Sequence, residues 1–180
     1  MLRRNAISGA MISVVIECGD DDAALAGTLA ALVPGAVEGL IADVTVIVRG
    51  ADAATRSVAE AAGCRLVERD AVGIVFEKAR GDWLLLLEPG ARLVADWVGP
   101  VSAHLGHDGR PARFSRARIE RGSIVSRFRE RRSPLAFGLL SRKAELVRAA
   151  EKAEGLRDVA RGVKTIRLDC AIVPAGRRRA

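Results

Sequence analysis

Aromatic residues make up 3% of this 180-residue chain, and it has no tyrosine. Phe114 and Phe128 are the only aromatics among its most basic residues, so it lacks the stacking platforms on which readers of nucleic-acid bases rely. This argues against nucleic acid as a partner. Long apolar runs are also missing. The heaviest, Trp83-Leu84-Leu85-Leu86-Leu87, suits a buried strand and falls far short of the roughly 18–20 residues that cross a bilayer as a helix. Cysteine is scarce: Cys18, Cys64 and Cys170 are odd in number and widely spaced, which argues against a disulfide framework. The absence of any Cys-x-x-Cys pair argues against a structural zinc site. Met1-Leu2-Arg3-Arg4 is basic like the start of a signal peptide, but no apolar core or small-residue cleavage site follows, and Glu17 precedes Cys18 where a lipoprotein signal needs a small residue. Residues 1–10 read as a loose leader. The expected compartment is the cytoplasm, with the inner face of the membrane as the alternative.

What the chain has is a large aliphatic fraction. Hydrophobic residues make up 49%, charged residues 28%, and the mean hydropathy is +0.15, a composition that folds. With no repeat or low-complexity linker, one domain over residues 11–175 is expected, followed by a basic tail at 176–180. Charge is divided unevenly. Residues 1–90 carry 8 Lys/Arg against 13 Asp/Glu, a net −5, and residues 91–180 carry 21 against 9, a net +12. The second half is thus suited to something anionic.

Short β-branched runs alternate with helical patterns. Residues 11–16 (Met-Ile-Ser-Val-Val-Ile) predict a strand buried on both faces. Asp20-Asp21-Asp22 then opens a helix with Leu25, Leu29 and Leu32 on one side, and Pro34-Gly35 is its expected end. Strands follow at 44–48, 64–68 and 83–87, with helices from Asp52 or Ala53 to near Gly63 and through 74–79. This alternation predicts parallel strands with helices on both faces, a three-layer α/β/α sandwich on a mostly parallel, mixed sheet. Beyond Leu87 the reading gives a helix at 95–105, an exposed or edge strand at 113–119, a very basic helix at 122–132, a strand at 137–140, a helix at 141–154 and late strand pieces at 164–168 and 172–173.

The strand 12–16 with its following helix, the strand Val44-Thr45-Val46-Ile47-Val48 with the turn Arg49-Gly50-Ala51-Asp52, and above all Ala79-Arg80-Gly81-Asp82-Trp83-Leu84-Leu85-Leu86-Leu87 resemble family 2 glycosyltransferases. The resemblance covers roughly residues 11–175 and is strongest in the first hundred. It implies the GT-A fold, a nucleotide-sugar donor, a compact bacterial member, and transfer of a sugar to an unnamed acceptor. It also implies a divalent cation, Mg²⁺ or Mn²⁺, held by carboxylates to neutralise the departing diphosphate, and a second carboxylate to deprotonate the acceptor hydroxyl. On this resemblance the donor-binding residues are Glu17, Asp20, Arg49, Asp52 and Glu88, with Glu88 as the metal ligand.

Several positions depart from the family's pattern. Glu88-Pro89-Gly90 stands in place of Asp-x-Asp, Arg49 in place of a base-holding aspartate, and Glu17-Cys18-Gly19-Asp20 in place of a proline-led loop. The segment between Glu68 and Gly81 is short, and no Glu-Asp pair stands near residues 133–142. The alternative is a catalytically inactive relative that keeps the fold as a binding or interaction module.

Plainer readings compete at each position. Helix capping explains Asp20, Asp21, Asp22 and Asp52, and an ion pair with Asp52 explains Arg49. Glu88 is otherwise a solvated strand-end carboxylate, and Cys18 a small half-buried thiol rather than a nucleophile. His104 and His107 have ligand spacing but no further cluster around them. Residues 110–132, from Arg110 to Arg132, hold nine arginines against Glu120 and Glu130. They read as a solvated basic surface, as a site for an anionic membrane or a lipid-linked or nucleotide phosphate, or last as a nucleic-acid surface, the third functional alternative being a basic adaptor for anionic membrane or nucleic acid. The sequence assigns no oligomeric state.

Overall fold

The computed structural model describes residues 10–68, 72–117 and 133–175. Its strands are β1 (Ile12–Cys18), β2 (Ile41–Val48), β3 (Arg65–Glu68), β4 (Trp83–Leu87), β5 (Arg92–Leu93), β6 (Ala112–Arg116), β7 (Leu139–Arg142) and β8 (Ile166–Val173). Its helices are α1 (Asp22–Val37), α2 (Ala53–Ala61), α3 (Val72–Glu77), α4 (Val98–His107), α5 (Lys143–Ala150) and α6 (Leu156–Gly162). The eight strands form one mixed sheet in the order β3-β2-β1-β4-β7-β6-β8-β5. β3, β2, β1 and β4 are parallel neighbours, β7 joins β4 antiparallel, and β8 lies parallel to β6. This is the three-layer α/β/α architecture expected from the alternation.

The two-residue period of the central strands builds both cores. In β1, Ile12, Val14, Ile16 and Cys18 join one cluster, whereas Val15 joins the other. In β4, Trp83, Leu85 and Leu87 face the first cluster, while Leu84 and Leu86 face the second. Helices α1, α2 and α4 contribute to the first cluster, and α3, α5 and α6 to the second. Each fully buried Leu, Ile or Val contributes about 1.5–3 kcal/mol, so the predominantly apolar β1 and β4 lie side by side in the middle of the sheet.

Three expectations need correction. Helix α1 passes through Pro34 and ends at Val37; Gly39, with a φ of +74°, then closes the turn by donating its N–H to Ala36 O at 3.1 Å. Proline removes one donor in that last turn, but Trp97 packs on Gly35 and donates Nε1–H to Ala31 O at 3.2 Å, holding the turn in place. Strand β6 is interior, between β7 and β8, because Ala112 and Phe114 turn inward and the backbone pairs on both sides. The two late strand pieces are one continuous strand, β8. Two elements went unread, β5 and α6. The expected basic helix at 122–132 lies outside the described residues.

Gly81 is fixed by proximity. A Cβ there would stand 2.6 Å from both Met11 O and Ser13 N, where its own N–H donates to Ser13 Oγ at 2.8 Å. Gly81→Ala is expected to lose about 1–3 kcal/mol in urea unfolding, as overpacking does. Gly99→Ala, in α4 with nothing within 4 Å of the added Cβ, is expected to be neutral or to gain up to about 1 kcal/mol.

Candidate functional site

In an open parallel sheet, ligands collect beyond the carboxyl ends of the strands where the chain order reverses. Here β1 is that point: β2 lies on one side of it and β4 on the other. The residues that leave these strands, Glu17-Cys18-Gly19, Arg49 and Leu87-Glu88-Pro89, line one cavity of about 460 Å³. The opposite wall comes from Leu135 and from residues 154–158 and 161.

Polar contacts tie the two walls together. Glu17 forms an ion pair with Arg49 and accepts the Leu156 N–H at 3.1 Å. Arg49 also donates Nη2–H to Glu154 O at 2.6 Å. Glu88 is 9% exposed, and its Oε1 accepts from Ser133 Oγ at 2.5 Å and from Arg157 Nε and Nη2, each at 2.8 Å. Arg161 pairs with Asp158 at 2.7 Å, and both groups are open to solvent.

Three of the residues singled out in the sequence, Glu17, Arg49 and Glu88, therefore meet in one cavity. Asp20 and Asp52 do not line it. Asp52 caps α2, accepting Thr55 N–H at 2.8 Å, and Asp21 caps α1, accepting Ala24 N–H at 3.1 Å. Arg49 pairs with Glu17 rather than with the anticipated Asp52, because the parallel register sets the ends of β1 and β2 side by side. Glu88 is not a solvated strand-end group: Ser133 and Arg157 arrive from later segments to pair it. His104 Nε2 contacts Arg110 O at 3.0 Å while its ring packs edge-on against Trp83, and His107 Nδ1 contacts Ala103 O at 3.0 Å, so both rings already have protein partners.

Arg157, Arg161 and Ser133 escaped the sequence reading. The arginines share one side of a short helix through their four-residue spacing, but α6 is only seven residues long and too weakly patterned to stand out.

The residues fit a divalent cation poorly. Glu88 is already engaged by a guanidinium, and Gly90, two residues on, brings no side chain. Among the described residues, no group of three or more His, Cys, Asp and Glu is placed to hold a metal ion. Burial, with Asp21 adding to it, pushes the Cys18 thiol up to about 11, so it stays protonated and non-nucleophilic near neutral pH.

Of the basic stretch 110–132, residues 118–132 lie outside the described residues. Arg110 pairs with Asp108 at 2.6 Å. Arg113 turns inward: it donates to Pro134 O, and its Nη2 donates to Ala160 O at 2.7 Å. This one guanidinium thus holds both the Ser133 turn and α6, the two segments that reach Glu88. Among the described residues, no helix is long and apolar enough to cross a membrane.

No protein-family profile matches the sequence, and no curated protein does. Solved structures do. Glucosyl-3-phosphoglycerate synthase from Mycobacterium tuberculosis, in complex with UDP, is similar with a TM-score of 0.60 at 19% identity, over 96% of this chain and 74% of that one. The same enzyme in complex with Mn²⁺, UDP and phosphoglyceric acid gives a TM-score of 0.54 at 20% identity, over 77% of this chain and 57% of that one. Mannosyl-3-phosphoglycerate synthase from Rubrobacter xylanophilus gives 0.57 at 15% identity, over 76% and 55%. In the latter two alignments the chain spans little more than half the length of its neighbour. The fold is that of the GT-A glycosyltransferases.

Two outcomes follow from this geometry. Arg113→Met should cost about 1–3 kcal/mol in denaturant titration through two lost carbonyl contacts, with faster amide exchange concentrated in residues 133–138 and 156–162. Cys18 should resist iodoacetamide at pH 7.5 in the native protein and react within minutes in urea, as read by peptide mass spectrometry.

Proposed function

We propose that this protein is a glycosyltransferase-like protein that takes a nucleoside-diphosphate sugar into the cavity at the ends of β1, β2 and β4. The observation that carries the reading is the convergence of Glu17, Arg49 and Glu88 with Arg157 and Arg161 on one cavity at the chain-reversal point of a GT-A sheet. Support comes from the UDP held by a structural neighbour of the same fold. Transfer forms a bond from the acceptor oxygen to the anomeric carbon as the bond to the diphosphate breaks, and the acceptor's proton passes to a carboxylate. Glu17, Glu88, Glu154 and Asp158 are the carboxylates of this cavity. The reading extends to membership of family 2 and to a lipid-linked or membrane-borne acceptor drawn by the basic residues 110–132.

One observation favours a second reading, a binding module that does not transfer sugar. Both strand-end carboxylates, Glu17 and Glu88, already receive arginine and further donors, so neither stands open toward an acceptor hydroxyl.

A thermal-shift panel of nucleoside diphosphates tests the reading. At about 100 times its Kd, the preferred nucleotide should raise Tm by roughly 5–10 °C, and silence across the panel would remove the proposal. Release of free nucleoside diphosphate from UDP-hexoses then separates the two readings: turnover supports the transferase, binding without turnover the module.

A further inference from the structure

We infer that the cavity anchors the diphosphate of its ligand with guanidinium groups instead of a divalent cation, an inference that rests on the nucleotide reading above. Glu88 is the one strand-end carboxylate at the position where the resemblance implies a metal, and its Oε1 receives Ser133 Oγ at 2.5 Å and Arg157 Nε and Nη2 at 2.8 Å. A cation on that oxygen would meet a positive charge already in hydrogen-bond contact with it. The second position of the motif is Gly90, whose backbone N–H is bound to Ala24 O at 3.0 Å and to Thr28 Oγ1 at 2.8 Å. Glu17, the other strand-end carboxylate, is held by Arg49 and the Leu156 N–H.

The same cavity has three arginines on its walls, Arg49, Arg157 and Arg161. A guanidinium carries five N–H donors in a planar fork that matches phosphate as well as it matches carboxylate. Arg157 directs Nε and Nη2 at Glu88, and Arg49 directs Nε at Glu17 and Nη2 at the Glu154 carbonyl. Because each guanidinium is matched by a carboxylate, the diphosphate enters by exchange: its oxygens replace carboxylate oxygens on the forks. Glu88 is then the ligand's competitor for Arg157. In a metal site, Glu88 would be the ligand's support. The two arrangements therefore predict opposite effects of Glu88→Gln, a change that keeps an acceptor for Ser133.

Isothermal titration with UDP and with uridine, in EDTA and again with Mn²⁺, decides between them. UDP should bind in EDTA at least about tenfold more tightly than uridine, and Mn²⁺ should change its Kd less than about threefold. Arg157→Gln and Arg161→Gln should each weaken UDP by about tenfold or more. Arg161 is solvent-exposed and its loss leaves no buried charge unpaired, so this variant reports even where Arg157→Gln fails to fold. Arg56→Gln, which removes an equal charge from the Arg56–Glu68 pair outside the cavity, should bind as wild type. Glu88→Gln should tighten UDP in EDTA. UDP binding that appears only with Mn²⁺, or that is lost in Glu88→Gln, overturns the inference and leaves the nucleotide reading standing. Equal affinity for uridine and UDP, or equal weakening in Arg56→Gln, also overturns it. No UDP binding under either condition overturns both.

Discussion

A carboxylate taken out of water must be paired, and Glu88 is such a group at the end of the central strand β4. Its needs are met by Ser133, forty-five residues later, and by Arg157, sixty-nine residues later. The second half of the chain is therefore tied to the first at the cavity, where apolar packing thins out and polar contacts decide the geometry. Glu17 repeats the arrangement at the end of β1, accepting from the Leu156 backbone while it holds Arg49. Removing Arg157 would leave Glu88, with little access to solvent, lacking its counter-charge, a larger penalty than losing a surface ion pair.

The elements through β4 were legible because their signals are local. β1, β2 and β4 are apolar runs bounded by turn residues, and α2 begins at an aspartate that caps it, so pattern and structure agree. The later elements depend on partners that no local window contains. β5 is two residues long and exists only because it pairs with β8. β6 was read as an edge because arginines alternate along it, yet Arg113 is drawn inward by the carbonyls of Pro134 and Ala160. Tertiary contact overrode the polarity of the sequence.

The candidate site divides along the same line. Glu17, Arg49 and Glu88 were readable, since strand ends in an alternating α/β chain fall on one edge of the sheet. Arg157 and Ser133 were not, because their significance lies in what they touch across the cavity. Pro34 gives the converse lesson: a residue that ends most helices is carried inside α1 because Trp97 seals the turn beyond it. The charge asymmetry, with its excess of arginine in the second half, is partly consumed in this internal pairing, with Arg113 and Arg157 serving carbonyls and a carboxylate of the protein itself.

The two walls of the cavity come from different halves of the chain, residues 17–19, 49 and 87–89 on one side and 135, 154–158 and 161 on the other. A nascent polypeptide that has emerged only through β4 owns a parallel sheet without a pocket, and its strand-end acids face solvent with no arginine from α6 to meet them. The cavity is thus complete only once the chain through residue 161 has docked against the strand ends.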